Sequence, residues 1–189
     1  MNEKILIKRK AEVELKIESL AYGGMGIAKK ENFVIFVKNA IPGQTVIARI
    51  YKKKKGYAEA RSLKILVESP NVVKPKCNHF YICSKIQNLS YKEQLKEKSN
   101  QVINAFQRLG GFKDFKLNNV VKGNPIFNYR NKMEFTFSPH RWVLDSEPEG
   151  VSKSFALGLH IPGRYDKILD INNCYIPVSY THLRAHETV

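Results

Sequence analysis

No apolar stretch in this sequence approaches the roughly 18–20 consecutive residues that a membrane-spanning helix requires. The opening decapeptide MNEKILIKRK also lacks the apolar core of a secretory signal. Both absences lead us to expect a cytoplasmic protein with no membrane partner. Cysteine is scarce: three residues cannot close an even disulfide framework, so they are left as buried thiols, metal or cluster ligands, or a nucleophile. Acidic side chains are scarce too, with 17 Asp and Glu against 32 Lys and Arg, which leaves a formal charge of +15. Residues 1–65 hold 15 basic and 6 acidic side chains, so the surplus is concentrated toward the N-terminus. Such a surface attracts polyanions through long-range Coulomb forces and counterion release, which puts nucleic acid first among partners. A lysine-rich coat that serves only solubility is the plainer reading of the same surplus.

What is present is mostly strand pattern. Val13, Leu15 and Ile17 alternate with charged residues, as a half-buried strand requires. Gly23, Gly24 and Gly26 mark a turn, and Phe33 to Val37 forms a second apolar run. Ala40-Ile41-Pro42-Gly43 reads as another turn before the alternation Val46, Ala48, Ile50. A basic stretch, Lys52, Lys53, Lys54 and Lys55, then precedes Tyr57, Ala58 and Ala60. Five short strands with Gly and Pro turns suit an oligonucleotide-binding (OB-like) β-barrel over residues 1–66. Its lysine loop beside Tyr51 and Tyr57 suits RNA, because phosphates attract ammonium groups and bases stack on aromatic faces.

Residues 67–89 read as a proline-flanked linker followed by a cysteine segment, Cys77-Asn-His-Phe-Tyr-Ile-Cys83. Ser90 and Glu93 have the spacing of a capping box, and Tyr91, Leu95, Val102, Phe106 and Leu109 share one helical face up to Gly110-Gly111. Further strands are expected in Asn128–Ser138, Phe155–Ile161 and Lys167–Ile171, which makes 90–177 a mixed α+β domain. The fold class expected is therefore β-rich α+β. Residues 178–189 carry neither strand nor helix pattern and are expected to be a non-native tail, so His182 and His186 are not read as a metal pair.

The segments AYGGMGIAKK, FVIFVKNAIPGQTVIARI and YKKKKGYAEA make residues 1–66 resemble a TRAM domain, an RNA-binding barrel of RNA-modifying enzymes. CNHFYIC, QNLSYKEQLKEK, NYRNKMEFTFS and LGLHIPGRYDKILDINNC occur in the order found in RlmD/RumA-type 23S rRNA uracil-5-methyltransferases. The resemblance covers roughly residues 8–177. It implies a TRAM barrel, a central domain with a four-iron four-sulfur (4Fe-4S) cluster, and a Rossmann-like domain that binds S-adenosylmethionine (SAM). In the family, a cysteine of that last domain attacks carbon 6 of the uracil, making carbon 5 nucleophilic toward the methyl group. No glycine-rich strand-to-helix loop and no cysteine beyond Cys174 is present here. The Rossmann-like domain is thus expected to be absent, SAM to enter only through it, and no catalytic residue is assigned.

By the same resemblance Cys77, Cys83 and Cys174 stand at cluster-ligand positions, with a Gly-Gly and one Cys of the family pattern missing around Cys83. Zinc on these cysteines with His79, or three inert buried thiols, are the other readings of the set. Arg130, Lys132 and Arg164 fall in motifs implied to contact structured RNA, alongside Lys52–Lys55 and Tyr57; His160, in the last motif, is a weaker candidate. The expectation is the RNA-binding and iron–sulfur portion of a SAM-dependent 23S rRNA uracil-5-methyltransferase, monomeric and inactive by itself. A stand-alone TRAM-type RNA-binding protein is the alternative, and a TRAM-bearing radical-SAM methylthiotransferase a weaker one, since its CxxxCxxC motif is missing.

Overall fold

The alternation near the N-terminus becomes a strand because every second side chain can leave water. In the computed structural model, which describes residues 7–144 and 147–178, β1 (Glu12–Lys16) buries Val13 and Leu15 and exposes its charged residues. Five more strands complete its sheet: β2 (Ser19–Leu20), β3 (Gly26–Lys30), β4 (Phe33–Lys38), β5 (Thr45–Lys53) and β6 (Tyr57–Val67). The order is β1-β5-β6-β4-β3-β2. All neighbours are antiparallel except β4 and β6, which run parallel, so the sheet is mixed. The β5–β6 ladder shifts register near Val46, Ala48 and Ile50, and such bulges bend a strand and raise its twist. The sheet curls enough for β1 to approach β3.

Val13, Leu15, Ile17, Ile35, Val37, Val46 and Ile50 fill the inside of the curl. Ala28, Ala48, Ala58 and Ala60 pack among them, fully buried, where larger side chains would not fit a tightly curved interior. Burying each of the larger aliphatics contributes about 1.5–3 kcal/mol relative to leaving it in water.

This sheet belongs to a unit formed by the described residues of Met1–Pro75 and Ser84–Val121. The same unit holds α2 (Tyr91–Asn104), continued by a π-helical segment at Ala105–Leu109. The expected apolar stripe of α2 is not what docks it. Val102, Phe106 and Leu109 are exposed, while Glu97 is only 4% exposed. The Glu97 carboxylate accepts a hydrogen bond from the Leu20 N–H at 2.7 Å, and the Gln101 amide donates to the carbonyls of Leu20 and Ala21. Ser90 stands at the N-cap, yet its side chain makes no capping hydrogen bond among the described residues. Glu93 instead pairs with Lys96.

The second unit comprises the described residues of Lys76–Cys83 and Lys122–Val189. It contains the short helix α1 (Phe80–Cys83) and an antiparallel sheet of β7 (Thr136–Ser138), β8 (Ala156–His160) and β9 (Ile168–Asp170) in sequence order. Of the strand expected over 128–138, only Thr136–Ser138 joins the sheet. Asn128–Arg130 runs instead beside 175–178, with Asn128 and Arg130 donating to the carbonyls of Tyr175 and Ile176. Among the residues expected in the tail, only Val178 lies within the described part, so His182 and His186 fall outside it.

The expected fold class is therefore corrected. The N-terminal element is a six-stranded mixed sheet rather than five barrel strands, and helices are few. No mixed α+β central domain forms among the described residues: the one long helix sits with the first sheet, and the second unit holds three strands and a four-residue helix. The physical reason is that periodicity reports helix but not partner. Two side-chain amides and one carboxylate, polar and thus invisible to a hydrophobic pattern, fix α2 to its neighbours.

Candidate nucleic-acid interface

The lysine run sits at the tip of the β5–β6 hairpin. Lys54 N–H donates to the Tyr57 carbonyl at 2.8 Å and closes the turn, with Gly56 in open space. Lys52 through Lys55 are all exposed, as expected. They are not equivalent. Lys52 pairs with Glu59 across the hairpin at 2.6 Å, whereas Lys53, Lys54 and Lys55 have no ion pair among the described residues. Coulomb attraction to a phosphate is therefore uncompensated at three of the four ammonium groups.

Glu59 organises the base of this tip. Its carboxylate also accepts from the Tyr51 hydroxyl at 2.9 Å. The hydrogen bond from Lys52 is the main reason that the Glu59 carboxyl is held below its usual value. Burial, reinforced by Glu59, pushes the Tyr51 phenol far above its usual range, so it stays a donor. Lys38 lies over the Tyr51 ring, 5.0 Å from its centroid, and Tyr57 meets Phe36 edge-on at 5.7 Å. Tyr57 is thus half-committed to packing, with only part of its ring available to a ligand. Sequence reading found Tyr51 and Tyr57 but missed Glu59 and Lys38, whose part depends on cross-strand register.

In the second unit Arg130 and Lys132 line a cavity of about 450 Å³ together with Cys83, Asn131, Met133 and Leu159. Arg130 Nε donates to the Lys132 carbonyl, and the exposed Lys132 pairs with Glu134 at 3.2 Å. Arg164 is not among the residues lining that cavity. Its guanidinium grips Asp166 with two hydrogen bonds of 3.0 and 2.8 Å, and this grip lowers the Asp166 carboxyl to about 2. His160 shares a hydrogen bond with Thr136 at 3.1 Å and borders the exposed Tyr165.

The arrangement of the cysteines gives no support to the 4Fe-4S cluster that the resemblance implies. Such a cluster takes four thiolates, one per iron. Cys77 and Cys174 are buried and Cys83 is exposed. The Cys83 thiol points back along its own short helix, toward the carbonyls of His79 and Phe80. Burial first, with Cys77 adding to it, raises the Cys174 thiol above its usual value. No three His, Cys, Asp or Glu side chains converge as a metal site among the described residues, so the zinc reading with His79 gains no support either. Among the described residues the buried His79 Nε2 atom has no hydrogen-bond partner, and burial lowers its basicity.

Comparison with known proteins gives this geometry its context. Residues 8–63 match the TRAM domain. An uncharacterised RNA methyltransferase of Porphyromonas gingivalis is 36% identical over 170 residues, covering 86% of this chain and 37% of that protein. A second, of Chlorobaculum tepidum, is 39% identical over 141 residues, covering 71% of this chain and 29% of its own length. Among solved structures, the tRNA (uracil-54, C5)-methyltransferase of Pyrococcus abyssi, in complex with S-adenosyl-L-homocysteine, aligns over 92% of this chain and 35% of its own. The TM-score is 0.55 at 24% identity, a likeness of fold. The chain thus spans about a third of the length of such relatives. This finding overturns the last part of the expected fold class: a chain that spans a third of its relatives carries no evidence that a Rossmann-like domain is absent.

Proposed function

This chain belongs with the TRAM-bearing RNA methyltransferases, in keeping with the RlmD/RumA type, and from that premise we propose that it is the RNA-gripping part of a SAM-dependent uracil-5-methyltransferase acting on structured RNA, 23S rRNA by the order of its motifs. In this reading it works in the cytoplasm as a monomer, binds RNA by itself and does not methylate. Methyl transfer and SAM binding belong to the part of the relatives that this sequence does not match.

The observation that carries it is the hairpin tip, where Lys53, Lys54 and Lys55 stand exposed at the end of a TRAM sheet, with no ion pair among the described residues. Each phosphate contact releases condensed counterions, which steepens the salt dependence of binding by about 0.7–0.9 per contact in log–log terms. Replacing the three lysines by alanine is expected to lower the slope by roughly 2 to 3 if all three reach phosphate. Fluorescence anisotropy of a labelled rRNA hairpin, read across a salt series, measures it. An unchanged slope removes the hairpin from the interface, and no RNA binding at low salt overturns the reading.

A further inference from the structure

After β7 the chain turns at His140-Arg141-Trp142 and is tied down on both sides. Arg141 N–H donates to the Ser154 carbonyl and Trp142 N–H to the Ile168 carbonyl. The Arg141 guanidinium reaches both the Ser152 carbonyl and the Glu147 carboxylate, at 2.9 and 2.6 Å. Glu147 in turn accepts from the Leu144 N–H. These bonds hold Trp142, the only tryptophan in the sequence, on the wall of a cavity of about 670 Å³ within the second unit. The volume lies in the range of small-molecule sites, about 300–1,000 Å³. Lys167 Nζ sits 3.2 Å from the centroid of the Trp142 ring. One ring face is therefore held by an ammonium group, as cation–π attraction favours.

The charges around the cavity sort themselves. Glu147 is neutralised by Arg141, and Asp166 by Arg164. Among the described lining residues, the ammonium groups of Lys153 and Lys167 remain against the carboxylate of Glu149. An indole with ammonium groups beside it offers a base a stacking surface and a phosphate its countercharge. We propose that this cavity takes one nucleotide of an unpaired RNA segment, with its base against Trp142 and its phosphate between Lys153 and Lys167. The proposal rests on the RNA-binding reading and adds a site that neither the lysine hairpin nor the Arg130–Lys132 surface includes.

The test uses the whole 189-residue chain and a short, labelled, uridine-rich single strand. Because Trp142 is the only indole, its fluorescence reports on this cavity alone, while anisotropy of the strand reports binding anywhere. Quenching that saturates together with anisotropy is the expected result. Trp142→Ala is expected to weaken binding roughly fivefold or more, the loss of one base–aromatic stack, and Trp142→Phe to restore most of it. Lys153→Ala with Lys167→Ala, which leave the indole in place, are expected to abolish the quenching, and a folded circular dichroism spectrum certifies each variant. Binding without quenching, together with wild-type affinity of Trp142→Ala, overturns the site and leaves the RNA reading standing. No binding of this strand or of the rRNA hairpin overturns both.

Discussion

Side chains in this protein that look alike on paper have been given unlike work by their neighbours. Among the four hairpin lysines, Lys52 is taken by Glu59 and the other three are left to solvent. Among the arginines singled out by sequence, Arg164 is taken by Asp166. That last pair has a measurable signature. The Asp166 carboxyl is depressed to about 2, chiefly by the hydrogen bond from Arg164. A depressed carboxyl adds stability that is present above its unfolded value, about 3.9, and is lost as pH falls through the folded one. The window therefore lies between about pH 4 and pH 2. Arg164→Ala is expected to return the Asp166 titration to the ordinary range, as followed by carboxyl-carbon NMR. Because the pair is exposed, the accompanying loss of stability is expected to be slight. Glu97 is the opposite case, a carboxylate buried to hold one backbone N–H. Glu97→Ala leaves the Leu20 donor without its partner and is expected to cost about 1–3 kcal/mol in urea unfolding. An unchanged midpoint would show that water replaces the carboxylate.

At the scale of elements, strands were legible and their company was not. The alternation Val13, Leu15, Ile17 lies on the buried side as its period demands, and the expected runs at 155–161 and 167–171 became β8 and β9. What failed was the helix face: Val102, Phe106 and Leu109 promised a buried stripe and are exposed, because polar contacts dock α2. The eight residues before β7 failed for a related reason, since their alternation says nothing about whether a partner strand lies alongside. One position within β8 was equally silent. Gly158 faces the Leu169 carbonyl of β9 so closely that a Cβ would collide with it. Gly158→Ala is expected to pry β8 from β9 and to destabilise the second unit by about 1–3 kcal/mol, as overpacking does. Amide hydrogen exchange at Leu169 and Asp170 reads that loss directly, and unchanged protection there would contradict it.

For the whole molecule, net charge was the most legible property and site assembly the least. Fifteen surplus positive charges can be counted in the sequence, but which ammonium groups stay unpaired depends on register across β5 and β6. The cysteines show the limit from the other side. Their spacing follows a family pattern only in part, and the Cys83 thiol turns toward its own helix, a detail of local backbone that spacing does not encode. Trp142 drew no attention in the sequence because a single tryptophan without a motif around it says nothing until Lys167 is seen above its ring. The bond between Leu20 and Glu97 also carries a consequence for how the protein is made. It joins residues 77 positions apart, so a ribosome adding about 5–20 residues per second completes the donor roughly 4 to 15 seconds before the acceptor. During that interval the Leu20 N–H has no carboxylate to donate to, because residue 97 has yet to join the chain.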